Sequence, residues 1–547
     1  MISFTPRLVA LAVSVLAMTP VAAWADQPVV RAPAGALRGV AQDGLEVFKG
    51  VPYAAPPVGA GRWRPPVEAP AWKGVRDAAE FGPACVQPGP RAGSIYAEPP
   101  MPMSEDCLSL NVWTPTKVKK APVLVWIHGG SLVAGSSREG MYDGAAMARR
   151  GIVVVSINYR LGVLGYLAHP ELSAESPDGV SGNYGLLDQI AALRWIQRNI
   201  ATFGGDPANV TIAGESAGGL SVMYLMASPP ARGLFAKAIA QSAYMISTPT
   251  LRGARFGHAP AEMAGAAMAD KLGAKGLADL RAMDADTLAN AAPKAGFAPF
   301  GAVDGKILPG QLVDVFDRGE QAHVSILAGF NSGEIRSLRV LAPPPPADAA
   351  TYEAEIRKRY GDLAADYLKL YPSTDLAESV LLAPRDALYG WTAERLVAKQ
   401  TAAGAPGFLY LFDHGYPAAD AADLHAFHAS EIPYVFGTAK MTPPAWPKNP
   451  DTPEEAKLSA AMIGYWTSFA RDGVPHAAGQ PAWRPYGAER AYLTFAEGPE
   501  AGVHLRPGMY ELNEAVICRR RAQGDLSWNW NVGVVSPPLP AGVAQCK

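Results

Sequence analysis

The sequence predicts an α/β fold in which helices cover both faces of a large, mostly parallel central sheet. Two continuous apolar runs, at residues 123–127 and 152–157, are typical of strands buried on both faces. Between the second run and a further strand at residues 209–213, apolar residues recur every three or four positions, as on one face of a helix: Leu186, Ile190, Leu193, Ile196, Ile200 and Phe203. A strand, a helix and a strand in this order imply a right-handed crossover between parallel strands.

The remaining elements continue this pattern along the chain. Further strands are predicted at residues 325–329, 408–412 and 492–495, and the Ala-rich segment 250–300 has helical character. The four prolines at residues 343–346 predict a surface loop or a stiff spacer. Because no fixed-period repeat and no clean linker interrupts the sequence, we expect one body with insertions rather than several domains.

Composition and charge exclude several classes of function. The chain has 547 residues, of which 49% are hydrophobic and 18% are charged, as in globular proteins with a large core. Lys and Arg total 48 and Asp and Glu total 50, so the formal charge of −2 gives no electrostatic reason to bind nucleic acid or an anionic membrane. Gly (55) and Pro (50) are abundant but dispersed, which excludes a collagen-like chain.

Residues 1–25 have the pattern of a cleavable secretory signal. Arg7 supplies a positive charge, residues 8–18 form an apolar run, and Ala23 and Ala25 are the small residues that a signal peptidase reads before Asp26. This apolar run is too short to span ~30 Å of hydrocarbon. We therefore predict an exported protein, periplasmic or extracellular, with no stable membrane anchor and one mature domain at residues 26–547.

Export makes disulfide bonds the expected state of the four cysteines. The cysteines lack the C-x-x-C spacing of a zinc site, and four of them can form two bonds in three pairings. The preferred pairing closes the shortest loops and joins Cys85 to Cys107 and Cys518 to Cys546. Four buried free thiols are the alternative.

A candidate nucleophile lies in a Gly-x-Ser-x-Gly pentapeptide at residues 214–218. The pentapeptide follows the predicted strand directly and precedes a predicted helix at residues 220–226. Such a strand–turn–helix setting holds a serine on a strained turn with its hydroxyl exposed. Ser216 is therefore the predicted nucleophile, and a glycine-rich turn without chemistry is the alternative.

A serine nucleophile also needs a base, an orienting acid and donors for the developing oxyanion. For serines on such turns the acid and then the base follow in the chain. Spacing alone does not choose among the histidines after Ser216, which are His258, His323, His414, His425, His428, His476 and His504. The strand at residues 123–127 runs into a glycine-rich exit at residues 128–131, which can aim backbone N–H groups into a pocket.

These motifs and their neighbours resemble the type-B carboxylesterase/lipase family, which includes cholinesterases and bacterial carboxylesterases. The serine signature of the family is similar at residues 203–207, 210–211 and 214–219, and a second signature at residues 104–108 and 110–112. Residues 48–54 and 56–59 resemble its opening strand region, and residues 158–160 and 188–189 also fit. The resemblance covers nearly the whole mature chain and implies an α/β-hydrolase fold with helical insertions.

The resemblance implies a catalytic triad by position. Ser216 corresponds to the nucleophile, Glu334 in the segment 329–334 to the acid, and His428 in the segment 428–437 to the base. His425 is the rival base, but it lacks the Glu-x-Pro context that follows His428. Asp304 is the rival acid, although an Asp would depart from the usual Glu of the family.

The resemblance also implies the groups around the triad. The backbone N–H groups of Gly130, Ser131 and Ala217 would form the oxyanion hole, and Glu215 and Glu431 resemble buried carboxylates that support the histidine. The pairing of Cys85 with Cys107 agrees with a disulfide loop of the family.

Two departures from the family pattern bear on the substrate. The oxyanion segment usually has three glycines and an aromatic residue, whereas here Gly130 is followed by Ser131 and Leu132. Cholinesterases carry a tryptophan in the disulfide loop that binds a quaternary ammonium, but Tyr96 is the only aromatic residue between Cys85 and Cys107. Choline esters are therefore not the expected substrate.

The expected activity is hydrolysis of a small-molecule carboxylic ester through an acyl-enzyme on Ser216. This mechanism requires neither a metal nor an organic cofactor. An acyltransferase or thioesterase that uses the same triad is the first alternative, and a non-catalytic binding protein of the same fold is the second. No feature of the sequence indicates an oligomeric state.

Overall fold

The computed structural model describes residues 1, 27–90, 93–529, 531–542 and 546. The predicted secretory signal lies outside the described residues apart from Met1. Among the described helices, none is long and apolar enough to cross a membrane.

The strands of the described chain form three sheets. Their bounds are β1 (Val29–Ala32), β2 (Gly35–Arg38), β3 (Val40–Gln42), β4 (Leu45–Pro52), β5 (Val75–Asp77), β6 (Ala84–Cys85), β7 (Met103–Ser104), β8 (Ser109–Pro115), β9 (Ala121–Ile127), β10 (Val153–Ile157), β11 (Gly205–Glu215), β12 (Lys237–Gln241), β13 (Ser325–Asn331), β14 (Gly407–Phe412), β15 (Ala491–Phe495) and β16 (Pro499–Val503).

The large central sheet has 11 strands in the order β16-β15-β14-β13-β12-β11-β9-β10-β8-β4-β3. Every neighbouring pair from β15 to β10 is parallel. The pairs at both ends of the sheet are antiparallel. The sequence prediction of a large, mostly parallel sheet is therefore confirmed, with antiparallel strands added at both edges.

Helices connect the strands and cover the sheet. Their bounds are α1 (Ala145–Ala148), α2 (Gly162–Tyr166), α3 (Pro170–Glu175), α4 (Tyr184–Asn199), α5 (Ala217–Ala227), α6 (Ala261–Lys271), α7 (Leu277–Ala282), α8 (Ala285–Ala291), α9 (Leu312–Asp317), α10 (Glu334–Ser337), α11 (Ala349–Tyr360), α12 (Ala364–Leu370), α13 (Leu376–Arg385), α14 (Trp391–Ala402), α15 (Pro417–Ala421), α16 (Ile432–Phe436), α17 (Pro453–Asp472) and α18 (Met509–Gln523).

Strand β9 is apolar throughout because the sheet separates two apolar cores. In β9, Val123, Val125 and Ile127 pack into one core, whereas Leu124 and Trp126 pack into the other. Successive side chains of a strand point to opposite faces, so a strand covered on both faces needs a continuous apolar run. The helical stripe read from the sequence is α4 with the short 3-10 turn Ile200–Phe203 after it, and its six apolar residues are buried.

The helical insertions and the proline run also follow the sequence prediction. The Ala-rich segment contains α6, α7 and α8, and residues 343–346 lie in irregular chain before α11. The structure joins Cys85 to Cys107 and Cys518 to Cys546, which is the preferred pairing. The first of these bonds closes the loop that carries Tyr96.

Candidate active site

Ser216 lies on the turn between β11 and α5, in a backbone conformation that residues with a Cβ atom rarely adopt. Its φ is +56° and its ψ is −121°, and its N–H donates to the carbonyl oxygen of Gln241 at 3.0 Å. Such conformations cost roughly 1–3 kcal/mol and persist only where the surrounding structure enforces them. This strained strand–turn–helix geometry is the one predicted from the pentapeptide.

Close backbone packing explains why glycines flank the serine turn. A Cβ atom on Gly218 would lie 2.0 Å from the carbonyl oxygen of Ile127, at the end of β9. A Cβ atom on Gly129 would lie 3.2 Å from Cβ of Ser216 and 2.9 Å from Oε2 of Glu215. The glycine-rich exit from β9 therefore lies directly against the serine turn.

Parallel strands bring distant parts of the chain to one edge of the sheet. Gly214 in β11 pairs with Ile127 in β9, and Glu215 pairs with Gln241 at the end of β12. Gln241 in turn pairs with Gly329 in β13. Because parallel strands end at the same edge, the segments that follow these four strands meet there.

The candidate acid and the candidate base are hydrogen-bonded to each other. Nδ1 of His428 forms a short hydrogen bond with Oε2 of Glu334, and Oε1 of Glu334 accepts the backbone N–H of Asn331 at 2.9 Å. The Gly333 N–H donates to the carbonyl oxygen of Ala426 at 2.8 Å, which joins the two segments. Glu334 is fully buried and His428 is 6% exposed, so this contact is shielded from water.

The other ring nitrogen of His428 lies beside the serine turn. Its Nε2 is 3.1 Å from Oε1 of Glu215, the residue before Ser216. Within the described part of the chain the Ser216 hydroxyl makes no hydrogen bond. Burial lowers the pKa of His428, but the carboxylates of Glu215 and Glu334 outweigh it and raise that pKa to about 9. Burial raises the pKa of Glu215 above its ordinary value.

Glu431 lies behind the histidine in a network of amide groups. Its Oε1 accepts from Nε2 of Gln241 at 2.9 Å, and its Oε2 accepts from Nδ2 of Asn331 at 2.7 Å. Burial, and then the nearby Glu334, raise the pKa of Glu431 to about 7. Sequence reasoning assigned no role to Gln241 or Asn331, although Asn331 lies within the recognised segment 329–334.

The two rival residues lie in other surroundings. His425 is partly exposed, and its ring nitrogens pair with Asp413 at 3.2 Å and with Asp420 at 3.1 Å. Asp304 accepts backbone N–H groups of its own turn, including that of Ile307 at 2.8 Å. The structure therefore brings Glu334, rather than Asp304, to His428.

The loop after β9 presents free backbone donors. Gly130, Ser131 and Leu132 have positive φ values of 96°, 57° and 60°, which turn the loop sharply. Gly130 and Ser131 are exposed, and their N–H groups make no hydrogen bond within the described chain. Ala217 is the first residue of α5, and the first N–H groups of a helix have no partner within it.

His128 fixes the start of this loop. Its ring stacks on Tyr159 with ring centres 4.5 Å apart, and the Tyr159 hydroxyl donates to the His128 carbonyl oxygen at 2.8 Å. Burial lowers the pKa of His128 to about 4, so its ring is uncharged at neutral pH. Among the described residues, no group of three or more His, Cys, Asp or Glu side chains could hold a metal ion.

The fold and this site define a serine hydrolase of the α/β class. A family model described as the carboxylesterase family matches residues 26–512. The chain therefore belongs to the carboxylesterase family, and it is a carboxylic-ester hydrolase with the α/β-hydrolase fold.

Individual relatives agree with this assignment. The chain is 37% identical to a fumonisin B1 esterase of Sphingopyxis macrogoltabida, over 89% of this chain and 90% of the relative. It is 36% identical to the para-nitrobenzyl esterase of Bacillus subtilis, over 85% of this chain and 96% of the relative. A solved carboxylesterase of Geobacillus stearothermophilus matches with a TM-score of 0.74 at 34% identity, over 90% of this chain and 99% of that one.

Proposed function

We propose that Ser216, His428 and Glu334 are the catalytic triad of this esterase. The Ser216 hydroxyl turns toward Nε2 of His428, transfers its proton to it and attacks the ester carbonyl carbon. Glu334 holds the Nδ1 proton and stabilises the imidazolium that forms. The imidazolium then protonates the leaving alcohol, and a water molecule repeats the sequence on the acyl-enzyme.

The backbone N–H groups of Gly130, Ser131 and Ala217 bind the oxyanion of each tetrahedral intermediate. Donors of this kind contribute to the transition state because they are fixed before the reaction starts, and removing one typically costs 10²–10³-fold in rate. Glu215 and Glu431 support the histidine: Glu215 lies 3.1 Å from Nε2, where positive charge develops, and Glu431 ties the ends of β12 and β13 together.

One observation carries the proposal. The hydrogen-bonded Glu334–His428 pair is buried beside the strained serine turn, where Nε2 of His428 lies 3.1 Å from Oε1 of Glu215. Strained serine turns and buried carboxylate–imidazole pairs each cost stability, and together they are the arrangement that acyl transfer needs.

The family and the sequence support proposals for the substrate and the location. Small-molecule esters are the proposed substrates, since the relatives are named as esterases of such compounds. Residues 1–25 are the proposed cleaved signal, which leaves one exported esterase domain at residues 26–547. The four paired cysteines support an oxidising compartment.

The test is hydrolysis of a chain-length series of nitrophenyl esters by the parent and by Ser216→Ala. The variant should lose several orders of magnitude in kcat, because no other nucleophile lies on the turn. Ser221→Ala is the matched control, since Ser221 lies in α5 and its hydroxyl accepts from Gln189. Turnover by Ser216→Ala near the parent value would refute the proposal.

A second measurement separates hydrolysis from transfer. A competing alcohol in the assay gives a new ester if the acyl-enzyme prefers an alcohol to water. Release of free acid alone supports the hydrolase, whereas predominant transfer to the alcohol supports the acyltransferase alternative.

A further inference from the structure

Tyr96 connects the disulfide-closed loop to the histidine segment. Its hydroxyl donates to the carbonyl oxygen of His428 at 2.9 Å, across 332 residues of sequence. Oγ of Ser337, in the helix that begins at Glu334, lies 2.7 Å from the same hydroxyl. A carbonyl oxygen can only accept, so the Tyr96 proton goes to His428 and Ser337 can donate to Tyr96.

The backbone at this carbonyl is strained. Ala429, the next residue, has a φ of +66°, in the left-handed region that costs a residue with a Cβ atom roughly 1–2 kcal/mol. The carbonyl of His428 belongs to the peptide group that leads into this conformation. The preceding carbonyl, that of Phe427, accepts from Asn331 at 2.8 Å. Side chains from two distant segments thus hold the peptide groups on both sides of His428.

We propose that Tyr96 is a positioning residue for the catalytic histidine. Its hydrogen bond fixes the peptide group after His428 in the orientation that keeps Ala429 left-handed and the imidazole against Glu334. This inference rests on the proposed role of His428, and it gives the single aromatic residue of the loop a function other than cation binding.

The surroundings of Tyr96 suit this role. Its ring packs edge-on against Trp446, with ring centres 5.8 Å apart, and Trp446 in turn packs on Phe427 at 4.8 Å. The Cys85–Cys107 bond closes the loop, and both cysteines are buried. Burial raises the pKa of Tyr96 well above its ordinary value, so the hydroxyl stays protonated and remains a donor in the working pH range.

Tyr96→Phe tests the inference because it removes only the hydroxyl. The loss of one such hydrogen bond should lower kcat by about 5- to 10-fold with KM nearly unchanged. The acid limb of the pH profile of kcat/KM should also move to lower pH, because a loosened contact with Glu334 stabilises the imidazolium less. Rates are expressed per active site titrated with an organophosphate, so a partly folded preparation does not mimic the effect.

Tyr352→Phe is the matched control. The Tyr352 hydroxyl is also buried and donates to a backbone carbonyl, that of Tyr371 at 2.9 Å, but in a separate apolar cluster. This variant should lose comparable thermal stability and keep the parent kcat and pH profile. Ser337→Ala, which leaves the bond from Tyr96 to His428 in place, should keep kcat within about 2-fold of the parent.

The outcomes separate this inference from the proposed function. If Tyr96→Phe keeps the parent kcat and pH profile while His428→Ala is inactive, Tyr96 does not position the histidine and the triad stands. If Ser337→Ala loses as much activity as Tyr96→Phe, the hydroxyl acts through α10 and the inference is wrong. If His428→Ala remains active, the triad itself is overturned.

Discussion

Glu334→Gln should lower kcat by about 10⁴-fold while the fold stays intact. The reason lies in the two contacts of the carboxylate. Oε1 accepts the backbone N–H of Asn331 at 2.9 Å, so a glutamine oxygen keeps that place and its NH₂ group faces Nδ1 of His428. The imidazole must then accept at Nδ1 and carry its proton on Nε2. In that tautomer Nε2 cannot take the proton of Ser216.

The size of the loss corresponds to about 5.4 kcal/mol of transition-state stabilisation, at about 1.36 kcal/mol for each factor of ten. A glutamine that turned its oxygen toward His428 instead would place its NH₂ against the Asn331 N–H. That arrangement leaves two buried donors facing each other and costs about 1–3 kcal/mol. The inactive tautomer is therefore the favoured one.

The assay is steady-state hydrolysis of a nitrophenyl ester, with active sites titrated separately. Glu431→Gln is the matched control, because Glu431 is equally buried but its oxygens accept from the amides of Gln241 and Asn331. An amide there should cost about 1–3 kcal/mol of unfolding free energy and less than about tenfold in kcat. If Glu334→Gln retains kcat within tenfold of the parent, or if both variants lose kcat equally, Glu334 does not set the tautomer of His428.

Two further predictions concern stability. Asp188→Asn should destabilise the fold by about 3–5 kcal/mol, because it leaves the buried Arg160 guanidinium without its charge partner at 2.7 Å. The measurement is urea unfolding. The control is Asp43→Asn, which breaks an exposed ion pair with Arg149 and should cost under about 1 kcal/mol of unfolding free energy. Equal losses in the two variants would contradict the prediction. Burial raises the pKa of Glu394 from 4.5 to about 7, so the contribution of this group to stability is fully present below about pH 4.5 and is lost as the pH rises to about 7. Glu394→Gln should lack this loss between pH 5 and 8. If the difference in unfolding free energy between the parent and the variant did not change with pH, this prediction would be wrong.

The central strands were predictable because burial on both faces leaves a local signature. The continuous apolar run of β9 is visible without knowing which strands lie beside it. In contrast, β12 begins with a lysine and contains two alanines, so its sequence carries little of that signature although it lies in the middle of the sheet. The edge strands β3 and β16 were not predicted because they are short and largely exposed, so no buried apolar run marks them.

In the site, too, some residues are predictable from a local sequence pattern and others are brought together only by the fold. The serine turn was predictable from five consecutive residues, and its strained φ is a property of that turn. Glu334 and His428 came from resemblance to a family, because spacing alone does not join residues 94 positions apart. The contacts of Gln241 with Glu431 and of Tyr96 with His428 depend on the folded chain, and no local pattern marks them.

The bond between Cys85 and Cys107 makes the activity of the enzyme depend on the compartment in which the chain folds. Its formation anchors both ends of the segment from which Tyr96 reaches the histidine. A molecule made in a reducing cytosol would build the same sheet and the same serine turn but would lack this tether. Preparations from two compartments would then have matching circular dichroism spectra and different turnover per molecule.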